Sequence, residues 1–469
     1  MIRDLKIGNF KCWSDTGTIR MSPITLFFGT NSSGKSSIGQ FLMMLRQTVD
    51  SPDRKAVFYT GGKNSAVQLG SYQDMVYQRD SGASISFDYT WDLASSLKIK
   101  DPISLKSFTG TQLEFAAVAG MKDEGQKTLI LNQLKYILKD DEETALSIQM
   151  ALRQTTRIEY EVDAENYTLV RNQGRAWYPK SPVRFYGFPD EVVAYYQNAA
   201  FVQELNLVHE NLFRSLCYLG PLRTKAERLY SWTGTEPEQV GYSGENTVAA
   251  MLAAKNRKIS FGYKQTAKPF QQLIAEELTK MGLIERFQVN AISKQRQEYE
   301  VKVCTKGSED WVDLPDVGFG VSQVLPVLVQ CFYAPRNSII IMEQPEIHLH
   351  PSAQAALADV MIDVMNSRED GSDRNIQLIV ETHSEHFLRR LQRRIAEGTI
   401  STNKVSAYFS DVSKMPARLD TLQIDMFGNI MNWPENFFGD DMGDITAQAK
   451  AAMEKRIDQT SDHADTPNG

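Results

Sequence analysis

The stretch Phe27–Phe41, FFGTNSSGKSSIGQF, decides the fold, because Gly29 to Ser36 satisfies GxxxxGK[ST] in full. It follows a short apolar run, Ile24–Phe28, and leads into a segment with Ile38, Phe41, Leu42 and Leu45 on one helical face. Strand, glycine turn and helix is the order a phosphate loop requires. The glycines let backbone N–H groups curl around a phosphate, Lys35 reaches the outer phosphates, and the helix N-terminus adds its positive end. The expected nucleotide contacts are Asn31, Ser32, Ser33, Gly34, Lys35, Ser36 and Ser37, with Ser36 offering its hydroxyl to Mg²⁺ beside ATP.

Outward from the loop, the opening IRDLKIGNF alternates as a strand. From Ser81 to about Asn290 the pattern is mixed. GASISFDYTWDL and TRIEYEVDAENYTLVRN read as antiparallel strands, whereas EVVAYYQNAAFVQELNLVHENLFRSLCYL and PFQQLIAEELTKMGLI read as helices. The chain then gives a strand pair (RFQVNAI, QEYEVKVCT), a glycine turn (DVGFG), a helix (VSQVLPVLVQCFYA) and a buried strand (SIIIM). The loop EQPEIHLHP, a helix, the strand NIQLIVET and the helix SEHFLRRLQRRIAEG complete it. Strands alternating with helices imply an α/β fold with a mostly parallel sheet. The expected divisions are 1–80 and 291–420 as two halves of one head, 81–290 as an α+β insertion with 215–250 close to the head, and 421–469 as a separate terminal segment.

Composition sets outer bounds. At 469 residues, 42% hydrophobic and 23% charged, the chain is long enough for two or three domains or one with a large insertion. No apolar run is long enough to span a bilayer and no signal core opens the chain, so a cytoplasmic protein is expected. Cys12, Cys217, Cys304 and Cys331 are widely spaced without CxxC, which favours reduced thiols over a zinc ribbon. The net charge of −7 excludes indiscriminate coating of nucleic acid but not a local basic groove.

Two further strand ends carry chemistry. SIIIM delivers Glu343, and a carboxylate at the carboxyl end of a buried parallel strand is placed to hold Mg²⁺. NIQLIVE delivers Thr382, His383 and Ser384 to the same edge, where His383 can sense a γ-phosphate. An HxH metal site from His348 and His350, with His383, His386 and Glu346, is the minor alternative.

In their order, these motifs resemble the split P-loop NTPase head of the ABC and SMC type, and more closely its OLD-like (overcoming lysogenization defect) branch. EQPEIHLHP, VETHSEHFLRRL and KIGNFKCW carry that likeness; YLGPLRTKAERLY, VGYSGE and GNIMNWPENFFGDD resemble a bacterial ATPase subfamily with a C-terminal domain of unassigned function. The resemblance covers about 1–80 and 215–445. It implies an ATP-dependent homodimer in which Gly318, Gly320 and Ser322 of VGFGVSQ close over the partner's γ-phosphate. It offers Gln73 as a glutamine touching Mg²⁺, with Gln68 and Gln78 as alternatives, and it places Arg223 near the nucleotide or the interface. It also implies a role in DNA repair or phage defence, through a separately encoded effector protein or through DNA.

One residue departs from the pattern. Where the family's head carries the glutamate that activates water, this sequence has Gln344. An amide can position water but cannot take its proton, which costs on the order of 10²–10⁴ in rate. Two readings follow: slow hydrolysis with a long-lived ATP-bound dimer, or a displaced base at Glu346. Basic clusters at Arg389, Arg390, Arg393 and Arg394, and at Lys255, Arg257, Lys258 and Lys264, read as solvated faces or as DNA contacts.

Overall fold

The structure is a computed structural model that describes residues 1–462 except 124–126, 142, 154–157, 175–177, 294–295, 306, 413–415, 435–436 and 439–440. The chain divides into two units, Met1–Met431 and Asn432–Gly469.

The first unit holds the phosphate loop in a six-stranded sheet. Its order is Leu216–Leu219, Ile339–Glu343, Gln377–Glu381, Ile24–Gly29, Val405–Asp411 and Arg418–Thr421. Five strands run parallel and the last is antiparallel. The three middle strands are buried at every residue, as continuous apolar runs covered on both faces should be. The α/β P-loop fold read from the sequence is therefore present.

The flanking helices start where local chemistry favours it. Gly34 precedes the helix Lys35–Asp50 at φ 91°, and a Cβ there would collide with the Cys12 Sγ, so only glycine fits. Pro351 opens Pro351–Met365, where a fixed φ and a missing N–H cost nothing. Ser384 caps Glu385–Ala396 by accepting the Phe387 N–H at 3.0 Å, while Arg393 and Arg394 complement the dipole in its last turn.

An eight-stranded antiparallel sheet flanks this core. It runs Trp13–Asp15, Ile2–Phe10, Ile85–Lys100, Ser107–Asp123, Lys127–Asp140, Glu143–Leu152 and Tyr160–Glu165, with Ile19–Arg20 also paired to the first long strand. The division expected at residue 80 does not part the sheets, because Ile85–Lys100 pairs directly with Ile2–Phe10. The cause is amphipathic: Ile85, Phe87, Tyr89 and Trp91 alternate inward and share one core with Ile2, Leu5 and Ile7. The Gln377 side chain stitches the two sheets, donating to the Ile2 carbonyl at 2.7 Å and accepting the Ile2 N–H at 2.9 Å.

Two other expectations change. The long helix expected to end in SLCYL is instead two helices, Asp190–Tyr195 and Phe201–Arg214, followed by the strand Leu216–Leu219. Four successive buried residues suit a strand covered on both faces, and tertiary pairing with Ile339–Met342 at the sheet's edge overrides the helical periodicity. At the other end, the first unit runs past the division expected at 420/421. The Leu422 N–H donates to Ala407 at 2.8 Å, and the Gln392 side chain donates to the Gly428 carbonyl at 2.7 Å.

The second unit contains the helix Asp441–Asp462 and a cluster of Trp433, Phe437 and Phe438, the last two stacked at 4.2 Å. Part of NWPENFFGDD (435, 436, 439 and 440) and the end of the acidic tail (463–469) lie outside the described residues.

Candidate nucleotide site

The phosphate loop is wound by left-handed residues at Ser32 (φ 61°) and Gly34, with Gly29 at φ 146°. The Lys35 ammonium donates to the Gly29 carbonyl at 3.1 Å and the Thr30 carbonyl at 2.6 Å. Burial lowers its pKa, opposed by the charge of Glu381. Asn31 and Ser32 are exposed and Ser36 is half-buried. Ser33 and Ser37 brace the loop. The Ser37 hydroxyl donates to the Gly34 carbonyl and accepts the Trp13 indole N–H at 2.7 Å, while the Ser410 hydroxyl donates to the Ser33 carbonyl.

Two carboxylates end adjacent strands beside this loop. Glu343 and Glu381 are register partners, Glu381 lies opposite Phe27 of the loop strand, and each is only 8% exposed. Burial and the neighbouring Glu381 push the Glu343 carboxyl up to about 7, against the Tyr218 hydroxyl, which donates to its Oε1 at 2.8 Å, and against Lys11. Burial also raises Glu381, offset by the nearby Ser36 hydroxyl and the Lys35 ammonium. Its Oε2 is fully buried without a partner. Hard oxygen donors at Ser36, Glu343 and Glu381 suit Mg²⁺, and an orphaned carboxylate oxygen among them fits such an ion.

Gln344 follows at φ 45°, a strained conformation for a side-chain-bearing residue. Its N–H donates to the Glu381 carbonyl at 2.8 Å, and its own carbonyl accepts from the Arg223 guanidinium at 3.2 Å. Arg223 also donates to the Glu343 carbonyl at 3.3 Å, and burial pulls its pKa down to about 10, opposed by Glu346. The Glu346 carboxylate is buried and accepts the His383 backbone N–H at 2.8 Å. Burial raises its pKa. Burial and then the Lys35 charge lower that of the half-buried His383.

The glycine turn ends in the helix Phe319–Tyr333, with Gly318 before its first residue. Gly318 and Ser322 are at its exposed end, Phe319 is 59% exposed, and Gly320 packs under the His348 carbonyl. Gln73 is exposed on the short helix Tyr72–Met75, which adjoins the turn after Ile2–Phe10 through the Lys11 N–H, donated to the Met75 carbonyl at 2.6 Å. Exposed Gln68 donates to Lys63, and exposed Gln78 to Tyr77.

The histidines have other partners. His350 caps its helix by accepting the Ser352 N–H at 3.3 Å, His348 lies edge-on to Phe319, and His386 is exposed. Among the described residues no three His, Cys, Asp or Glu side chains are grouped to hold a metal. Of the two readings of the basic clusters, ion pairing favours solvated faces for their arginines. Arg390 and Arg394 share Asp359, Arg393 and Arg394 share Glu397, Arg389 pairs with Glu385, and Arg257 pairs with Glu369.

Sequence reasoning missed Glu381, Tyr218 and Ser410. The strand-end rule that selects Glu343 would also have selected Glu381, the last residue of QLIVE. Tyr218 was hidden in a run read as helix, and nothing local marks Ser410.

A wound glycine loop, its lysine and a strand-end carboxylate define a P-loop nucleoside triphosphatase. The chain belongs to the AAA ATPase domain family, which matches residues 1–175 and 241–388, well over half its length. It is accordingly a nucleotide-binding ATPase. Residues 400–448 match a second family, described as a protein of unknown function (DUF3696). No curated protein matches. Among solved structures, the chain is similar to the SmcHead bound to the C-winged helix domain of ScpA, with 10% identity over 91% of this chain and 98% of that one and a TM-score of 0.41. It is also similar to the SMC head domain from Thermotoga maritima, with 10% identity, 90% and 99% coverage, and a TM-score of 0.38. Among the described residues no helix is long and apolar enough to cross a membrane.

Proposed function

We propose that this ATPase works as a slow nucleotide latch, an ABC-type head that dimerises around ATP and releases a partner effector only when hydrolysis opens it. The observation that carries the reading is Gln344. It occupies the position next to Glu343 with its backbone pinned on both sides, so an amide sits where a general base is needed. Glu346, the alternative base, is buried and already accepts the His383 N–H, which favours a positioning role that ties the two strand-end loops together.

In this reading Lys35 and the loop N–H groups bind the phosphates, and His383 lies against the γ-phosphate. Ser36 and Glu343 would hold Mg²⁺, which when bound would neutralise charge on the outer phosphates. Gln73 remains a candidate to touch that ion. Gly318, Gly320 and Ser322 close the site from a second copy, a role supported by the exposed start of their helix. The ion-paired arginines on Glu385–Ala396 favour a protein effector, in DNA repair or phage defence, over DNA at that face.

Mass measurement of the full chain tests the latch: ATP with Mg²⁺ should give a dimer that persists for many minutes, and ADP should not. A monomer under both conditions overturns the reading.

A further inference from the structure

We infer that Glu381 is a second carboxylate of the cation site, acting with Glu343 and Ser36 to hold the divalent ion that accompanies the nucleotide. The inference rests on the nucleotide-site reading above and goes beyond the usual pairing of a loop hydroxyl with one strand-end acid.

Three observations converge. First, topology fixes the placement: the Gln377–Glu381 strand lies between the loop strand and the Glu343 strand, so Glu381 ends between Phe27 and Glu343. Of the two acids, Glu381 is therefore on the strand adjacent to the phosphate loop. Second, its surroundings are those of an ion site, with the Ser36 hydroxyl, the Lys35 ammonium and the Glu343 carboxylate all acting on it. Third, the side chain is 92% buried by its 8% exposure, and its Oε2 has neither solvent nor a hydrogen-bond partner. A carboxylate oxygen kept in that condition costs several kcal/mol unless a cation or one of its waters takes it up.

The neighbouring cations do not meet that need. Lys35 is directed to loop carbonyls and, with nucleotide bound, to phosphates; Lys11 donates to Gln40. Tyr218 satisfies Glu343 but no side chain satisfies the free oxygen of Glu381. A hard divalent ion with oxygen ligands matches both carboxylates and the hydroxyl. This makes metal-free ATP a poor ligand, since its phosphates would approach two buried acids, and makes the ion a condition of tight binding.

The experiment is fluorescent-ATP binding to the full chain, first in EDTA and then across a Mg²⁺ titration, for wild type, Glu381→Gln and Glu343→Gln. Removing the Glu381 charge should tighten binding in EDTA several-fold and raise the half-saturating Mg²⁺ at least tenfold. These opposite signs are not produced by a merely loosened fold. Mn²⁺ titration by electron paramagnetic resonance on Glu381→Asp gives an independent readout, with an intermediate shift expected. If Glu381→Gln keeps the wild-type Mg²⁺ midpoint while Glu343→Gln shifts it, the inference is overturned and the nucleotide site stands. If wild type binds no nucleotide with or without Mg²⁺, the underlying reading falls and this inference with it.

Discussion

Two buried polar clusters lie in the same unit and are finished differently. Around His209, in the core of the antiparallel sheet, both ring nitrogens have a partner. Tyr136 donates to the Tyr186 carbonyl at 2.9 Å and so must accept from His209 Nδ1 at 2.7 Å, leaving Nε2 to accept the Tyr89 hydroxyl at 2.7 Å. Phe115, Tyr186 and Phe213 enclose the ring. At the carboxyl edge of the parallel sheet, by contrast, Arg223 Nε and Nη1, Glu346 Oε2 and Glu381 Oε2 are buried without partners. A closed network fixes a fold; an open one at a sheet edge is kept for something that binds.

The largest effect should come from the closed cluster: His209→Ala removes a fully buried ring, strands the Tyr89 hydroxyl and takes the Nδ1–H donor from Tyr136, with about 3–5 kcal/mol of stability lost in urea unfolding. A loss below about 1 kcal/mol would mean that the network is not structural. At the open cluster, Lys35→Ala should weaken ATP about 100-fold, roughly 3 kcal/mol, and abolish the rise in melting temperature that ATP gives wild type. An undiminished rise would remove the lysine from the site.

Acid should discriminate the clusters more gently. Burial holds the His209 pKa well below its ordinary 6.5, so its neutral form stabilises the fold above that value. The unfolded chain takes up the proton first as pH falls through 6.5, which removes up to about 1.4 kcal/mol by pH 5.5. The charged groups bonded to the Tyr186 hydroxyl are Glu210 at 2.8 Å and Arg184 at 3.0 Å. The stability advantage of wild type over His209→Phe should shrink by that amount between pH 7.5 and 5.5; a constant gap would contradict the assignment. Smallest of all, Arg393→Ala breaks an exposed pair with Glu397 and should change stability by no more than about 0.5 kcal/mol.

How much of this was legible depended on range. The phosphate loop was readable because its residues act within one turn of chain, and Glu343 and His383 because buried strands announce their ends as apolar runs. The sheet shared by Ile2–Phe10 and Ile85–Lys100 was not, since pairing across some eighty residues leaves no local mark. Leu216–Leu219 looked helical because two helices precede it, and only its parallel neighbour makes it a strand. The arginines of Glu385–Ala396 read as a solvated face or as DNA contacts, and no local pattern announces that Asp359 of the helix Pro351–Met365 pairs with Arg390 and Arg394.

The latch itself stands or falls on Gln344. Single-turnover hydrolysis of ATP by wild type and Gln344→Glu, under identical Mg²⁺, tests it most directly. Restoring a carboxylate beside Glu343 should accelerate hydrolysis on the order of 10²–10⁴ and shorten the life of the ATP-bound dimer in step. A wild-type rate equal to that of Gln344→Glu, lost in Glu346→Gln, would contradict the account and make Glu346 the base.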